Sequence, residues 1–149
     1  MQNLGLMRDR LVNILLVEDD EVDVMNVKRA FQRNNISNPL YVASNGLDAL
    51  AMLRGDSTIT PKMPSDRRLV LLDLNMPKMG GIEFLQALRT DPKLRSTPVV
   101  VLTTSNQDQD RVEAYNLNVA GYLLKPVTFI NFADVMTTLN HYWTLCEMP

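Results

Sequence analysis

Five short, strongly apolar runs recur along the chain, and each is followed by a segment whose apolar residues have helical spacing. The runs occupy residues 11–17, 40–43, 69–72, 98–102 and 121–124. They are apolar almost throughout rather than at every second residue, which is typical of strands in a parallel sheet covered on both faces. Parallel strands are joined by right-handed crossovers. The pattern therefore predicts a three-layer α/β domain with a doubly wound parallel sheet.

The segments between the runs predict five helices. Residues 21–34 place Val24, Val27 and Phe31 at helical spacing, and Ser44 or Asn45 is a candidate cap for the second helix. The next two helices carry Leu47, Leu50 and Leu53, and Ile82, Leu85 and Leu88. In the fourth helix Val112 and Tyr115 are predicted to face inward, and in residues 130–145 one stripe contains Phe132, Met136, Leu139 and Trp143. Residues 55–68 contain two prolines and no periodicity, so we expect an exposed loop there.

Composition excludes several classes of protein. The chain has 149 residues with 15 Lys and Arg against 17 Asp and Glu, a net charge of −2, which does not favour a nucleic-acid-binding surface. Cys146 is the single cysteine, so an internal disulfide framework and a thiolate metal cluster are excluded. Residues 1–12 lack the apolar core of a secretory signal. We therefore expect a cytoplasmic protein.

Polar side chains follow four of the five predicted strands at the point where each strand ends. Glu18, Asp19 and Asp20 follow the first strand, and Asp73 follows the third. The fourth strand ends in Thr103 and the fifth in Lys125. Because ligands in open α/β sheets bind outside the carboxyl ends of the strands, we expect these groups to converge on one edge.

This set of groups suits a divalent cation and a phosphoryl group. Neighbouring carboxylates repel one another unless a positive charge joins them, and Mg²⁺ prefers oxygen ligands. Thr103 offers a hydroxyl donor and Lys125 a fixed positive charge. The acids after the first strand also have a purely structural interpretation, because Asp20 or Glu21 could cap the N-terminus of the following helix.

Four motifs make the chain resemble the receiver domains of two-component response regulators, over about residues 13–145. They are ILLVEDD at residues 14–20, LVLLDLNMPKMGG at 69–81, PVVVLTTS at 98–105 and AGYLLKP at 120–126. The resemblance implies a flavodoxin-like (βα)5 sandwich with strand order 2-1-3-4-5. It also implies a domain over residues 13–149, preceded by an N-terminal extension at 1–12, with no output domain.

The resemblance also implies a role for each strand-end residue. Asp73 is then the phosphoacceptor, and Mg²⁺ is held by Glu18, Asp19, Asp73 and the backbone carbonyl of Asn75. Thr103 and Lys125 would contact the phosphoryl group. Thr103 and Tyr122 would form the conformational switch. Asp20 is an extra acid, which leaves the identity of the acidic pair ambiguous by one position.

Two departures from the usual pattern point to a narrower resemblance. Asp19 and Asp73 are 54 positions apart (73 − 19), longer than expected, and the chain ends in the aromatic segment HYWTLCEMP. Both features resemble the stand-alone response regulators of bacterial phytochrome histidine kinases. The implied partners are a sensor histidine kinase, an unknown downstream protein and a second copy of the chain, with Tyr142 and Trp143 on the dimer face.

Other functions on this fold remain as alternatives. A phosphatase of the haloacid dehalogenase type needs a second Asp two residues after the nucleophile, where this chain has Asn75. A flavin or nucleotide binder needs a glycine- or hydroxyl-rich phosphate loop, and none follows a predicted strand. A pseudo-receiver that only binds partners is a third alternative, and the intact set of acids, Thr103 and Lys125 argues against it. The sequence does not distinguish a terminal regulator from a carrier within a phosphorelay.

Overall fold

The chain folds around one five-stranded parallel sheet. The computed structural model describes residues 11–56, 58, 62–104, 106–124, 134–135, 137–139, 141–142 and 145. The strands are β1 (Asn13–Val17), β2 (Leu40–Ala43), β3 (Arg68–Leu72), β4 (Val99–Thr103) and β5 (Gly121–Leu124). Their order across the sheet is β2-β1-β3-β4-β5, with every neighbouring pair parallel. The predicted flavodoxin-like topology is confirmed.

Four complete helices connect the strands. They are α1 (Glu21–Arg33), α2 (Gly46–Arg54), α3 (Gly81–Thr90) and α4 (Asp108–Asn116). Asn45 caps α2 by accepting a hydrogen bond from the Asp48 amide, and Gly55 ends that helix in the left-handed conformation at φ 76°. Described residues between 134 and 145 are also helical. No helix in the described ranges is both long and apolar enough to cross a membrane.

The sheet buries one apolar cluster on each face, as strands covered on both sides require. One face carries Leu15, Val17, Val70, Leu72, Val99 and Val101, packed against residues of α2, α3 and α4. The other carries Ile14, Leu16, Leu69, Leu71, Val100 and Leu102, packed against α1 and the C-terminal residues Val135 and Leu139. The two clusters hold the strand ends, and therefore the candidate site, in a fixed frame.

Two predictions about burial were wrong. Val112 and Tyr115 were expected to face inward, but they are 58% and 49% exposed. Within α4, all of which the structure describes, the buried residue is Ala114. The helix turns its smallest apolar side chain toward the sheet, which places the row of Val112 and Tyr115 outside.

The loop at 55–68 is not fully exposed, because Met63 packs into the first cluster and Arg67 and Arg68 are buried. The Arg68 guanidinium donates to the carbonyl oxygens of Leu53 and Pro64, which satisfies its charge inside the protein. Burial lowers the pKa of Arg68 from its usual value. The segment at 55–68 is thus partly buried, since Met63 packs into the first cluster and the Arg68 side chain donates a hydrogen bond to Leu53 of α2.

Candidate functional site

The ends of β1 and β3 bring acidic residues side by side. Val17 pairs with Leu72, so the next residues, Glu18 and Asp73, leave their strands at the same level. The Asp73 amide donates to the Val17 carbonyl oxygen at 3.0 Å, and the Glu18 amide donates to the Ala43 carbonyl oxygen at 3.0 Å. These bonds continue the ladders one residue beyond the strands and fix where both side chains begin.

Glu18, Asp19 and Asp73 form one carboxylate cluster. One oxygen from each lies within 4.8 Å of the other two. Glu18 and Asp73 are buried, with 3% and 7% of their surface exposed, whereas Asp19 is exposed. Three like charges this close repel by about 1 kcal/mol per pair even in a water-like medium, and by more where water is excluded. The donor set is made of hard oxygen ligands with one side open, and it fits a Mg²⁺ ion that keeps several waters.

The structure separates Asp20 from this cluster. Asp20 is the N-cap of α1, and its Oδ1 accepts hydrogen bonds from the amides of Val22 at 2.8 Å and Asp23 at 3.3 Å. Its own amide donates to Glu18 Oε1 at 3.1 Å. The capping interpretation therefore fits Asp20, and the acids that the structure brings together with Asp73 are Glu18 and Asp19.

The loop between β3 and α3 contacts the cluster through Asn75. The Asn75 amide donates to Asp73 Oδ1 at 3.3 Å, and its Nδ2 donates to Thr104 Oγ1 at 3.4 Å. Lys78 and Met79 both have positive φ, at 50° and 73°, a conformation that is costly for side chains other than glycine. The loop is held in this shape by its anchors rather than by local preference.

Gly81 is the anchor at the far end of this loop. Its amide donates to the Leu74 carbonyl oxygen at 3.0 Å. A Cβ at this position would lie 2.6 Å from Leu74 Cα and 2.7 Å from the Asp73 carbonyl oxygen. The start of α3 can therefore approach the Asp73 backbone only because residue 81 has no side chain.

Thr103 and Tyr122 lie on the same face of the sheet. Thr103 is the last residue of β4 and is fully buried. Tyr122 pairs in register with Val101, two residues before Thr103, and packs partly buried against the first cluster. Since side chains two residues apart along a strand share a face, the two expected switch residues lie on the same face of adjacent strands. Lys125 lies outside the described residues.

The expected dimer residues can be placed only in part. Tyr142 is 60% exposed, and Leu145, three residues further on, is 80% exposed. Trp143 lies outside the described residues. Val135 and Leu139, on the same segment, pack against the second cluster. The described residues of the C-terminal segment thus include some that pack inward and some that are exposed to solvent.

Two contacts of the site were missed by sequence reasoning. Thr104 receives the Asn75 side chain, and Arg111 places its guanidinium carbon 5.8 Å from the centre of the Tyr122 ring. Arg111 is three residues before the buried Ala114, which puts both on one side of α4. The apolar pattern of this helix favours Val112 and Tyr115 as inward positions, so it does not predict that Arg111 faces the sheet.

Comparison with known proteins gives one consistent family. The model of the response regulator receiver domain matches residues 14–137. The chain is 38% identical over 130 residues to probable methanogenesis regulatory protein FilR2 of Methanothrix harundinacea, covering 87% of this chain and 82% of that protein. It is 35% identical over 132 residues to response regulator Rcp1 of Synechocystis, covering 87% of each.

Solved structures agree with the sequence relatives. The phosphorylated cyanobacterial phytochrome response regulator RcpA superposes with a TM-score of 0.78 at 30% identity, covering 93% of this chain and 99% of that one. The Mn²⁺-bound form of Rcp1 superposes with a TM-score of 0.76 at 34% identity, with the same coverage. The similarity therefore extends over nearly the whole fold, including every strand end that carries the acidic cluster.

Proposed function

The chain belongs to the response regulator receiver family, and from that premise we propose that it accepts a phosphoryl group on Asp73 in a Mg²⁺-dependent reaction. The observation that carries this proposal is the carboxylate cluster of Glu18, Asp19 and Asp73. Asp73 is the member that ends the central strand β3 and is buried. As a receiver-domain regulator the protein is a signalling protein rather than a classical enzyme.

The Asp73 carboxylate is the nucleophile in this reaction. One of its oxygens attacks the phosphorus of a phosphohistidine, the phosphorus–nitrogen bond breaks, and the imidazole leaves as the new acyl phosphate forms. When bound by Glu18, Asp19, Asp73 and the Asn75 carbonyl oxygen, Mg²⁺ supplies positive charge against the transferring group. The Asn75 amide, already 3.3 Å from Asp73 Oδ1, orients the attacking carboxylate.

The signal then passes from the phosphoryl group to the surface. The acyl phosphate adds about 1.5 to 2 negative charges at the end of β3. In our proposal the Thr103 hydroxyl donates to a phosphoryl oxygen, Lys125 pairs with it, and Tyr122 moves into the space that Thr103 leaves. The shared face of Thr103 and Tyr122 supports this sequence of movements. Helix α4 and strand β5 carry the change outward.

The proposed phosphoryl donor is a sensor histidine kinase of the phytochrome type. Support comes from RcpA, which is a cyanobacterial phytochrome response regulator. FilR2, which is named as a methanogenesis regulatory protein, has similar identity, so a donor of another type is the competing outcome. Phosphotransfer from a purified phytochrome kinase and from an unrelated kinase distinguishes the two. A cytoplasmic location belongs to the same proposal, because the kinase draws its phosphoryl group from intracellular ATP.

We also propose that the protein forms a homodimer and contacts a downstream protein. The exposed side chains of Tyr142 and Leu145 support an interface on the C-terminal segment, with Trp143 next to them in sequence. Sedimentation of wild type, Tyr142→Ala and Trp143→Ala, each with and without phosphorylation, tests the dimer. A monomer in both states at tens of micromolar would contradict it.

Phosphorylation itself is tested with a small donor. Incubation with acetyl phosphate and Mg²⁺ should add the mass of one phosphoryl group, and Asp73→Asn should abolish the addition while keeping the shape of the side chain. Asp91→Asn is the matched control, because Asp91 ends α3 at the opposite end from the Asp73 loop. Labelling that persists in Asp73→Asn would refute the assignment. A wild type that takes no label would favour a pseudo-receiver that only binds partners.

A further inference from the structure

Arg111 makes a contact that the phosphorylation site does not require. It lies on α4, where residues 108, 111 and 114 follow one another at three-residue spacing along one side of the helix. Ala114 is buried against the sheet, Asp108 is exposed near the start of the helix, and Arg111 lies between them. Its guanidinium carbon is 5.8 Å from the centre of the Tyr122 ring, and its Nη1 is 3.4 Å from Asp108 Oδ1.

This geometry is that of a cation held over an aromatic face. The attraction between a guanidinium and a ring extends to about 6 Å from the ring centre. The ion pair with Asp108 is exposed, with 92% of the Asp108 side chain accessible, so it orients Arg111 weakly. The ring is therefore the main contact that these distances assign to the Arg111 head group.

The ring has an apolar side and a cationic side. Tyr122 packs against the first apolar cluster, which includes Val101 of β4 and Ala114 of α4. Arg111 covers it from α4. Thr103 ends β4 whereas Arg111 lies on α4, so the ring would approach a group on a different element from the one that it now contacts. A ring that moves toward Thr103 is therefore expected to lose at least part of its contact with the Arg111 guanidinium.

We propose that Arg111 is a positioning residue that holds the Tyr122 ring in its partly exposed position and so sets how readily the switch moves. The proposal rests on the proposed function, in which Tyr122 moves toward Thr103 after phosphorylation. Loss of the contact lowers the free energy needed to move the ring. By linkage, a phosphoryl group that favours the inward ring is then bound more tightly by the same factor.

The size of the effect follows from the strength of the contact. At a partly exposed site, a cation over a ring corresponds to about a two- to fivefold change in the ratio of two ring positions. Arg111→Gln should therefore raise the affinity for beryllium fluoride, a phosphoryl mimic, by about two- to fivefold in the presence of Mg²⁺. Arg111→Lys keeps a cation and should retain much of the wild-type affinity. Asp108→Asn should have a smaller effect, because the exposed ion pair contributes little.

The position of the Tyr122 ring is measured by fluorine NMR on protein in which the tyrosines are replaced by 3-fluorotyrosine. Tyr122→Phe identifies the Tyr122 signal among the four tyrosines. In Arg111→Gln this signal should shift without any phosphoryl mimic, toward the position that wild type reaches with beryllium fluoride and Mg²⁺. Arg29→Gln, an exposed arginine on α1, should leave the signal and the affinity unchanged.

Each outcome bears on one of the two proposals. A Tyr122 signal at its wild-type position in Arg111→Gln would overturn the role of Arg111, whether or not phosphorylation occurs. A shifted signal with unchanged beryllium fluoride affinity would also overturn it, since the ring would then be uncoupled from the site. Failure of wild type to bind beryllium fluoride with Mg²⁺ would instead refute the proposed function. The ring signal, which needs no ligand, still decides whether Arg111 holds Tyr122.

Discussion

Asp19→Asn should stabilise the protein when no divalent cation is bound. The substitution replaces a charged oxygen by a neutral one of the same shape in a cluster whose three acids approach within 4.8 Å. At 4.8 Å a pair of like charges repels by about 0.9 kcal/mol in a water-like medium and by about 3.5 kcal/mol at an effective dielectric constant of about 20. Asp19 is exposed, so the lower figure applies. Removing its repulsion with Glu18 and Asp73 should raise the free energy of unfolding by about 2 kcal/mol.

The measurement is urea unfolding in a chelator at low and high salt. The Debye length falls from about 10 Å at 0.1 M salt to about 3 Å at 1 M, which is shorter than the spacing in the cluster. The gain in Asp19→Asn should therefore shrink strongly at 1 M salt, because wild type is itself relieved there. Adding Mg²⁺ should reverse the order, since wild type binds the ion more tightly and is stabilised by that binding.

Asp20→Asn is the matched control for this experiment. It removes a negative charge one residue along the chain, but Asp20 caps α1 and asparagine caps helices about equally well. Its free energy of unfolding should stay within about 0.5 kcal/mol of wild type. The reasoning is refuted if Asp19→Asn without metal is no more stable than wild type at low salt. It is also refuted if the gain does not depend on salt, because the effect would then not be electrostatic.

Three further substitutions test the frame around the site. Gly81→Ala should lower the free energy of unfolding in urea by about 1–3 kcal/mol and weaken Mg²⁺ binding, because its Cβ would lie only 2.6 Å and 2.7 Å from backbone atoms. Gly80→Ala is the control and should be nearly neutral, because its Cβ would lie 3.5 Å from the nearest backbone atom. Arg89→Met should lower the free energy of unfolding by about 2–4 kcal/mol. The Arg89 guanidinium donates hydrogen bonds to the carbonyl oxygens of four residues, and these bonds connect the ends of α3 and α4. A loss of less than about 0.5 kcal/mol would contradict this expectation. A hydrogen bond from the Lys93 amide, and after it the contact with Arg54, hold the pKa of Asp91 below its usual value of 3.8. The ionised Asp91 carboxylate therefore stabilises the folded protein above pH 3.8, and this stabilisation is lost as the pH falls through the lowered pKa. Asp91→Asn should therefore flatten the fall of the urea midpoint in acid below about pH 4, and an unchanged acid limb would argue against it.

The order of elements and the place of the site could be predicted from the sequence. Short apolar runs bounded by polar or turn-forming residues predict strands, so the runs at 40–43 and 121–124 were predicted with the bounds that the structure has. The carboxyl ends of parallel strands share one edge, so Glu18 and Asp73 were expected at the same edge of the sheet. Their direct proximity also needs β1 and β3 to be neighbours, which the family resemblance implied and the structure shows.

Other features were decided only by tertiary packing. Asp20 and Asp19 are the same residue type in adjacent positions, and only the path of the chain into α1 makes one a cap and leaves the other beside Asp73. The rotation of α4 depends on packing, because Ala114 is buried in the first cluster whereas Val112 is 58% exposed. That rotation brings Arg111 over the Tyr122 ring. The sequence shows which residues of a short polar helix are apolar, but the face that the helix buries depends on the strands and helices that pack against it.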